Sequence, residues 1–225
     1  MIYNKKIFSN KQEAFLDYVA NKISMKEVRL PPLSIISQQL GISVSSLREQ
    51  VELARFLGLI ETRPKVGITL KPYDFKSSLI RSLTFAVALN KDYFEKFSDL
   101  RMHLEKAYFL EAVKLLDEED IFQMRQIIGS ARQKLNGNPI QIPHKEHEKL
   151  HLLIYSKLKN EFVLGFFEAY WMLYEEVGLS LYSNLTYLLN VWAYHEKIVK
   201  SIADKQYDVG FKCLVDHMNL INERI

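Results

Sequence analysis

The chain has 225 residues, room for one large domain or two small ones, and its 48% apolar and 25% charged residues exclude disorder and collagen-like repeats. A single cysteine, Cys213, excludes an internal disulfide framework and cysteine-rich zinc folds. The net charge of +3 is uneven: residues 1–72 carry 11 Lys or Arg against 6 Asp or Glu, a net of +5, and the rest 19 against 21, a net of −2, so a basic segment suited to a polyanion precedes a slightly acidic one.

Eight Gly, six Pro and apolar residues recurring at three and four positions predict a mainly α protein. No apolar core of signal-peptide length follows Met1, and no apolar run reaches the roughly 20 residues that span a bilayer, so a cytoplasmic protein without membrane contact is expected. Lys71-Pro72-Tyr73-Asp74 marks the joint, giving modules at 1–72 and 73–225.

In the first module Lys11 to Ile23 reads as a helix with Ala14, Phe15, Tyr18, Val19 and Ile23 on one face. Pro31-Pro32 ends that segment. Leu33 to Leu40 is a short amphipathic helix, Gly41 turns the chain, and a second helix runs from Ser43 or Ser46 to Phe56 with Leu47, Val51, Ala54 and Leu57 inward. Two short helices about a Gly turn make a helix-turn-helix. Ser46-Leu47-Arg48-Glu49 fits a capping box, with Ser43 as the competing cap. Leu59 to Arg63 and Ile68 to Leu70 read as strands around the turn Pro64-Lys65-Val66-Gly67, completing a winged helix-turn-helix. Ser45, Ser46 and Arg48 at the start of the second helix, with Arg63 and Lys65 in the wing, are the groups that bind phosphates and reach base edges, so they are the candidate DNA contacts. A winged helix can also serve protein contacts, and the positive charge favours DNA.

From Phe75 the chain reads as a bundle of six or seven helices, at 75–89, 92–116, 118–135, 144–158, 160–186, 188–204 and 207–222, with Asn136-Gly137-Asn138-Pro139 as the clearest break. It contains no GxGxxG, GxxxxGK[ST] or GxSxG motif. His147 and His151 stand four apart, on one face of a helix. His151 lies in the stripe Leu150, Ile154, Leu158; His195 lies among Leu188, Val191, Trp192, Ile198, Val199 and Ile202; His217 is flanked by Gly210, Leu214, Met218 and Ile221. Any one of these is more often a satisfied core histidine. Three helices each turning an imidazole inward are most readily satisfied by a shared metal ion. His103 and His144 have no such setting and read as surface residues. Cys213, four before His217, reads as a thiol filling a helix contact. Arg101, on a face with Phe97, Leu104 and Tyr108, is either paired with a carboxylate such as Glu105 or a fork for an anionic ligand.

This order of parts resembles the GntR superfamily of bacterial transcription regulators, in the FadR-like branch with an FCD effector domain. Leu30-Pro31-Pro32 through Gly41, Ser43 to Glu49, Gly58-Leu59-Ile60-Glu61 and Arg63-Pro64 through Gly67 resemble its DNA-binding pattern. Asp99-Leu100-Arg101 with Leu104-Glu105, His151 with Asn160, His195 with Ile198 and Asp204, and His217 resemble the effector domain. The resemblance implies a homodimer on a two-fold double-stranded DNA operator, a divalent metal in the bundle, and a small, often carboxylate-bearing, effector that Arg101 would contact. It implies no enzyme activity. Two departures stand out. His147 occupies a position where the family usually has Asp: if it binds, the ligands His147, His151, His195 and His217 include no carboxylate and favour a transition metal, Zn or Ni, over Mg or Ca, and if it does not, His151, His195 and His217 leave open positions for water or an effector carboxylate. Ser34 and Val44 stand where the family commonly has Arg, which removes base contacts worth about 1 to 3 kcal/mol each. Two other readings remain: a metal-free regulator binding an apolar or acyl ligand among Phe166, Phe167, Tyr170 and Trp171, and a zinc hydrolase, for which no general base is evident because Glu148 and Glu196 point away from the histidines.

Overall fold

The structure, a computed structural model, describes residues 14–176 and 184–220. It is mainly α, and its chain divides into two compact units, Met1–Ser78 and Leu79–Ile225. Among the described residues no helix is long and apolar enough to cross a membrane.

In the first unit, α1 (Ala14–Ser24), α2 (Leu33–Leu40) and α3 (Val44–Phe56) precede the hairpin β1 (Ile60–Arg63) and β2 (Gly67–Leu70). Residues 11–13, the expected start of α1, lie outside the described residues. Gly41 adopts φ 65°, the left-handed turn that lets α2 end and α3 begin at an angle. Ser43 caps α3, its side chain accepting from the Ser46 amide at 3.2 Å, so the helix starts one turn earlier than a cap at Ser46 requires. Phe15, Val19, Ile36, Leu47 and Ala54 form the centre of this core, all fully buried. The Phe15 amide, at the open end of α1, donates to the buried Gln50 side chain at 2.9 Å. The hairpin pairs Ile60 with Leu70 and Arg63 with Gly67. A third extended segment, not evident from the sequence, lies along β2: Leu30 N–H donates to Ile68 O at 3.0 Å and Leu70 N–H to Val28 O at 2.9 Å.

Helix α4 (Phe75–Leu89) spans the division between the units. The second unit continues with α5 (Asp92–Val113), α6 (Glu118–Leu135), α7 (His144–Tyr155), α8 (Glu161–Glu176), α9 (Leu185–Ala203) and α10 (Tyr207–Asn219). Its ends are set by side chains. Asp117 and Asp120 form a reciprocal capping box on α6. Asn160 Oδ1 accepts from the Phe162 and Val163 amides at the start of α8. Asn184 accepts from the Tyr187 amide at 2.7 Å, which starts α9 at Leu185 and corrects the expected helix over 160–186: residue 184 is the cap of α9, and 185–186 belong to it. Residues 177–183 of that expected helix, and 221–222 of the expected last one, lie outside the described residues. Helix α7 stops at Tyr155, short of the expected 158, where Ser156 and Leu158 turn back onto Leu153 O and Tyr155 O. Helices α9 and α10 pack as a hairpin, α5 and α6 lie beside it, and α7 packs on α5, α6 and α8. Gly210 permits close approach, since a Cβ there would sit 3.4 Å from Phe109 of α5 and from Ser201 of α9. That packing brings the inward faces of α5, α7, α9 and α10 to one place.

Candidate metal centre

Four residues apart on α7, His147 and His151 project from the same face, and His195 of α9 and His217 of α10 meet them. One nitrogen from each of the four rings lies within 4.8 Å of the others. Ring centroids are 4.3 Å apart for His195 and His217, 4.8 Å for His147 and His195, and 4.9 Å for His147 and His151. His151, His195 and His217 are buried and His147 half-buried. The rings are walled by Trp171 of α8, 4.7 Å from His147, and Trp192 of α9, 4.8 Å from His195.

Burial first, then the neighbouring rings and Arg101, hold His147, His195 and His217 well below the usual histidine range. Three of the nitrogens, His147 Nε2, His195 Nδ1 and His217 Nδ1, are buried without a hydrogen-bond partner among the described residues. Each such atom costs about 1 to 3 kcal/mol if nothing meets it. Four imidazoles from three helices, each with one nitrogen within 4.8 Å of the others, fit a divalent transition ion. A narrow space of about 30 Å³ reaches His147 between His144, Tyr174, Tyr187 and Trp192.

His151 is different. Its Nδ1 lies 3.1 and 3.2 Å from the two oxygens of Glu105, a fully buried carboxylate of α5, and its Nε2 lies 3.2 Å from His195 Nε2. Arg101, one turn before Glu105, pairs with it at 3.4 Å and stacks on Tyr170 and Trp171 at 4.5 and 5.3 Å. Burial works to raise the Glu105 carboxyl, and Arg101 with His151 outweighs it, so Glu105 is held below the usual carboxylate range. Of the two sequence alternatives for Arg101, the structure has the carboxylate pair: Nη2 donates to Glu105 at 3.4 Å, and Nε faces the same carboxylate at 3.4 Å outside hydrogen-bond geometry. The link from Glu105 to His151 was missed in the sequence, where only the spacing from Arg101 drew notice to Glu105.

The remaining candidates lie elsewhere. His103 is exposed and bonded to Asp99 O at 2.9 Å, as a surface histidine should be. Cys213 is half-buried at the edge of the core and is not among the clustered donors. Glu196 bonds Arg132 at 2.8 Å, and neither it nor Glu148 joins the histidines. Phe166, Phe167, Tyr170 and Trp171 are all buried, with Phe166 against Phe97 at 4.5 Å and Phe167 against Tyr155 at 4.7 Å, so they fill the core.

In the first unit, Ser45 and Arg48 are exposed on the first turns of α3 beside the half-buried Ser46. Arg63 is exposed in β1 and bonded to Glu61 at 2.8 Å, a weak surface pair that a phosphate can displace. Lys65 sits in the hairpin turn at φ 64°. The helix start and the wing thus carry the predicted cations and hydroxyls outward.

The FCD domain family profile matches residues 96–220, the segment that holds all four histidines. Among solved structures, a GntR protein of Streptococcus agalactiae is 14% identical, with 96% of this chain and all of that one aligned at a TM-score of 0.67. McbR/YncC of E. coli is 15% identical over 96% of this chain and 99% of that one, at a TM-score of 0.47. A GntR family regulator of Pseudomonas syringae is 16% identical over 93% and 81%, at 0.40. Curated protein sequences yielded no match. The profile covers more than half of the chain, and the S. agalactiae GntR protein aligns with 96% of it: the chain belongs to the FCD domain family, and its fold is similar to that of the GntR protein.

Proposed function

We propose that the chain is a DNA-binding transcription regulator, acting as a homodimer on a two-fold operator and controlled from a metal site in its helical bundle. The observation that carries this reading is the set of four imidazoles, three of them with a buried nitrogen that meets no partner. His147, His151, His195 and His217 would hold the ion, with Zn or Ni suited to four nitrogen donors. When bound, a divalent ion there would tie α7, α9 and α10 together and offer an acceptor position to an anionic effector. The chain's own residues favour such an anion. Four neutral imidazoles leave the ion's charge uncompensated, and the nearest buried carboxylate, Glu105, is already matched by Arg101. The Arg101 guanidinium, whose Nε faces Glu105 at 3.4 Å outside hydrogen-bond geometry, would supply a donor to a small carboxylate. In the first unit Ser45, Ser46 and the α3 amides would hold phosphates, Arg48 would reach base edges, and Arg63 and Lys65 would place the wing on the backbone.

Elemental analysis of protein purified without an affinity tag or added metal should find close to one transition metal per chain. No metal, even after dialysis against zinc or nickel, sinks the metal reading. Selection from random duplex DNA should enrich a two-fold sequence, and Arg48→Ala should weaken its binding by at least about tenfold, one lost bidentate contact, without unfolding the bundle. Failure to enrich any sequence removes the regulator reading.

A further inference from the structure

We infer that Glu105 is a positioning residue of the histidine site: it holds His151 by Nδ1, so that Nε2 is the nitrogen presented to the metal. The inference rests on the proposed metal reading and adds to it a residue outside the ligand set.

Both Glu105 oxygens lie 3.1 and 3.2 Å from His151 Nδ1 and also face the Arg101 guanidinium, so the carboxylate is the acceptor and Nδ1 the donor. With Nδ1 turned to Glu105, the nitrogen left to ligate a metal is Nε2, the atom 3.2 Å from His195 Nε2 and therefore inside the cluster. The same residue holds α7 a second time, because Tyr155 Oη, one turn beyond His151, donates to the Glu105 carbonyl at 3.0 Å. Rotating or sliding α7 against α5 breaks both bonds. Arg101 in turn keeps Glu105 from being a lone buried charge, and Arg101 is itself pinned on Tyr170 and Trp171.

No other ring in the cluster is held this way. His195 and His217 each have a partnerless Nδ1, and His147 a partnerless Nε2. His151 is therefore the one ligand whose orientation and tautomer are settled before an ion arrives, and the other three close around it. Carboxylates behind a metal-bound histidine typically account for about 10- to 100-fold in metal affinity.

Zinc affinity, measured by competition against a chelating dye, compares the full chain with Glu105→Gln and Glu105→Ala. Gln keeps an acceptor oxygen without the charge, and about a tenfold loss is expected; Ala removes both, and the loss should approach 100-fold. Arg101→Met/Glu105→Gln serves as the partner variant that leaves no unpaired charge in the core, and it should lose zinc affinity as Glu105→Gln does. Nitrogen NMR of metal-free protein labelled at histidine gives a readout that a merely structural residue would not move: the His151 ring should be protonated at Nδ1 in the unaltered chain and lose that preference in Glu105→Ala. Zinc affinities within about twofold of the unaltered chain in all variants, with the His151 tautomer unchanged, overturn this inference and leave the histidine site standing. If the unaltered chain takes up no zinc, the metal reading falls and this inference falls with it.

Discussion

His217→Leu separates a metal ligand from a core histidine, because the two roles predict opposite signs in the metal-free protein. His217 is 5% exposed, its Nδ1 has no hydrogen-bond partner, and its ring faces those of His195 at 4.3 Å and His151 at 5.6 Å. A buried polar atom left unsatisfied costs about 1 to 3 kcal/mol, and leucine fills a similar volume with no such atom. After chelator treatment the His217→Leu variant should therefore be more stable than the unaltered chain by roughly 1 to 2 kcal/mol in urea unfolding. With zinc the order reverses. At 100 times Kd, zinc contributes about 2.7 kcal/mol to the unaltered chain, a rise in Tm of roughly 5 to 10 °C for a protein of this size. The variant, with three imidazoles left, should lose most of that rise at the same zinc concentration. The reasoning is refuted if the substitution destabilises the chelator-treated protein by about 1 kcal/mol or more and the zinc-dependent rise survives, as expected of a satisfied core residue.

Acid should destabilise the metal-free protein in a window set by the histidines. Burial holds His147, His195 and His217 below the ordinary value of 6.5, so below that pH the unfolded chain binds protons that the folded one refuses, and stability falls as pH falls. The slope is at most about 1.4 kcal/mol per pH unit for each such histidine; urea midpoints that stay flat between pH 6.5 and 5 count against neutral buried rings. Glu105, held below its ordinary 4.5, contributes stability that is lost only at lower pH, so it does not confuse that window. Gly58→Ala should cost about 2 to 5 kcal/mol, because φ is 76° and the new Cβ would lie 2.8 Å from Ser77 Cβ. An unchanged Tm would show that the turn after α3 has room that this geometry denies.

The architecture was legible because its signals are local. Pro31-Pro32, Gly41, Gly58 and the Asn138-Pro139 break punctuate the chain where helices end, and the apolar spacing of three and four fixes which faces turn inward. The convergence of His151, His195 and His217 was readable for the same reason: each sits within an apolar stripe, and stripes of one bundle share one core. What stayed hidden depends on side-chain choice between neighbours. Ser43 and Ser46 are equally good caps by residue type, and only the path out of Gly41 selects Ser43. Arg29 beside Thr69 has no alternation around it long enough to read as a strand. Glu105 was visible as a partner for Arg101 four residues away, yet its bond to His151 spans 46 positions and requires the packing of α5 on α7.

The partnerless nitrogens also say where control could originate. A ligand shifts an equilibrium only by its differential affinity for the two states. A bundle whose core is complete without an ion would have no reason to rearrange when one leaves. Here the closed arrangement of α7, α9 and α10 gathers three imidazole nitrogens that meet nothing, at about 1 to 3 kcal/mol each. An ion that met one of these nitrogens would remove that atom's cost, so binding and this arrangement would favour each other. The effect would be least at His151, whose Nδ1 already meets Glu105. Couplings between two sites typically amount to about 1 to 3 kcal/mol, so relief at one or two nitrogens is sufficient to carry a signal out of the bundle.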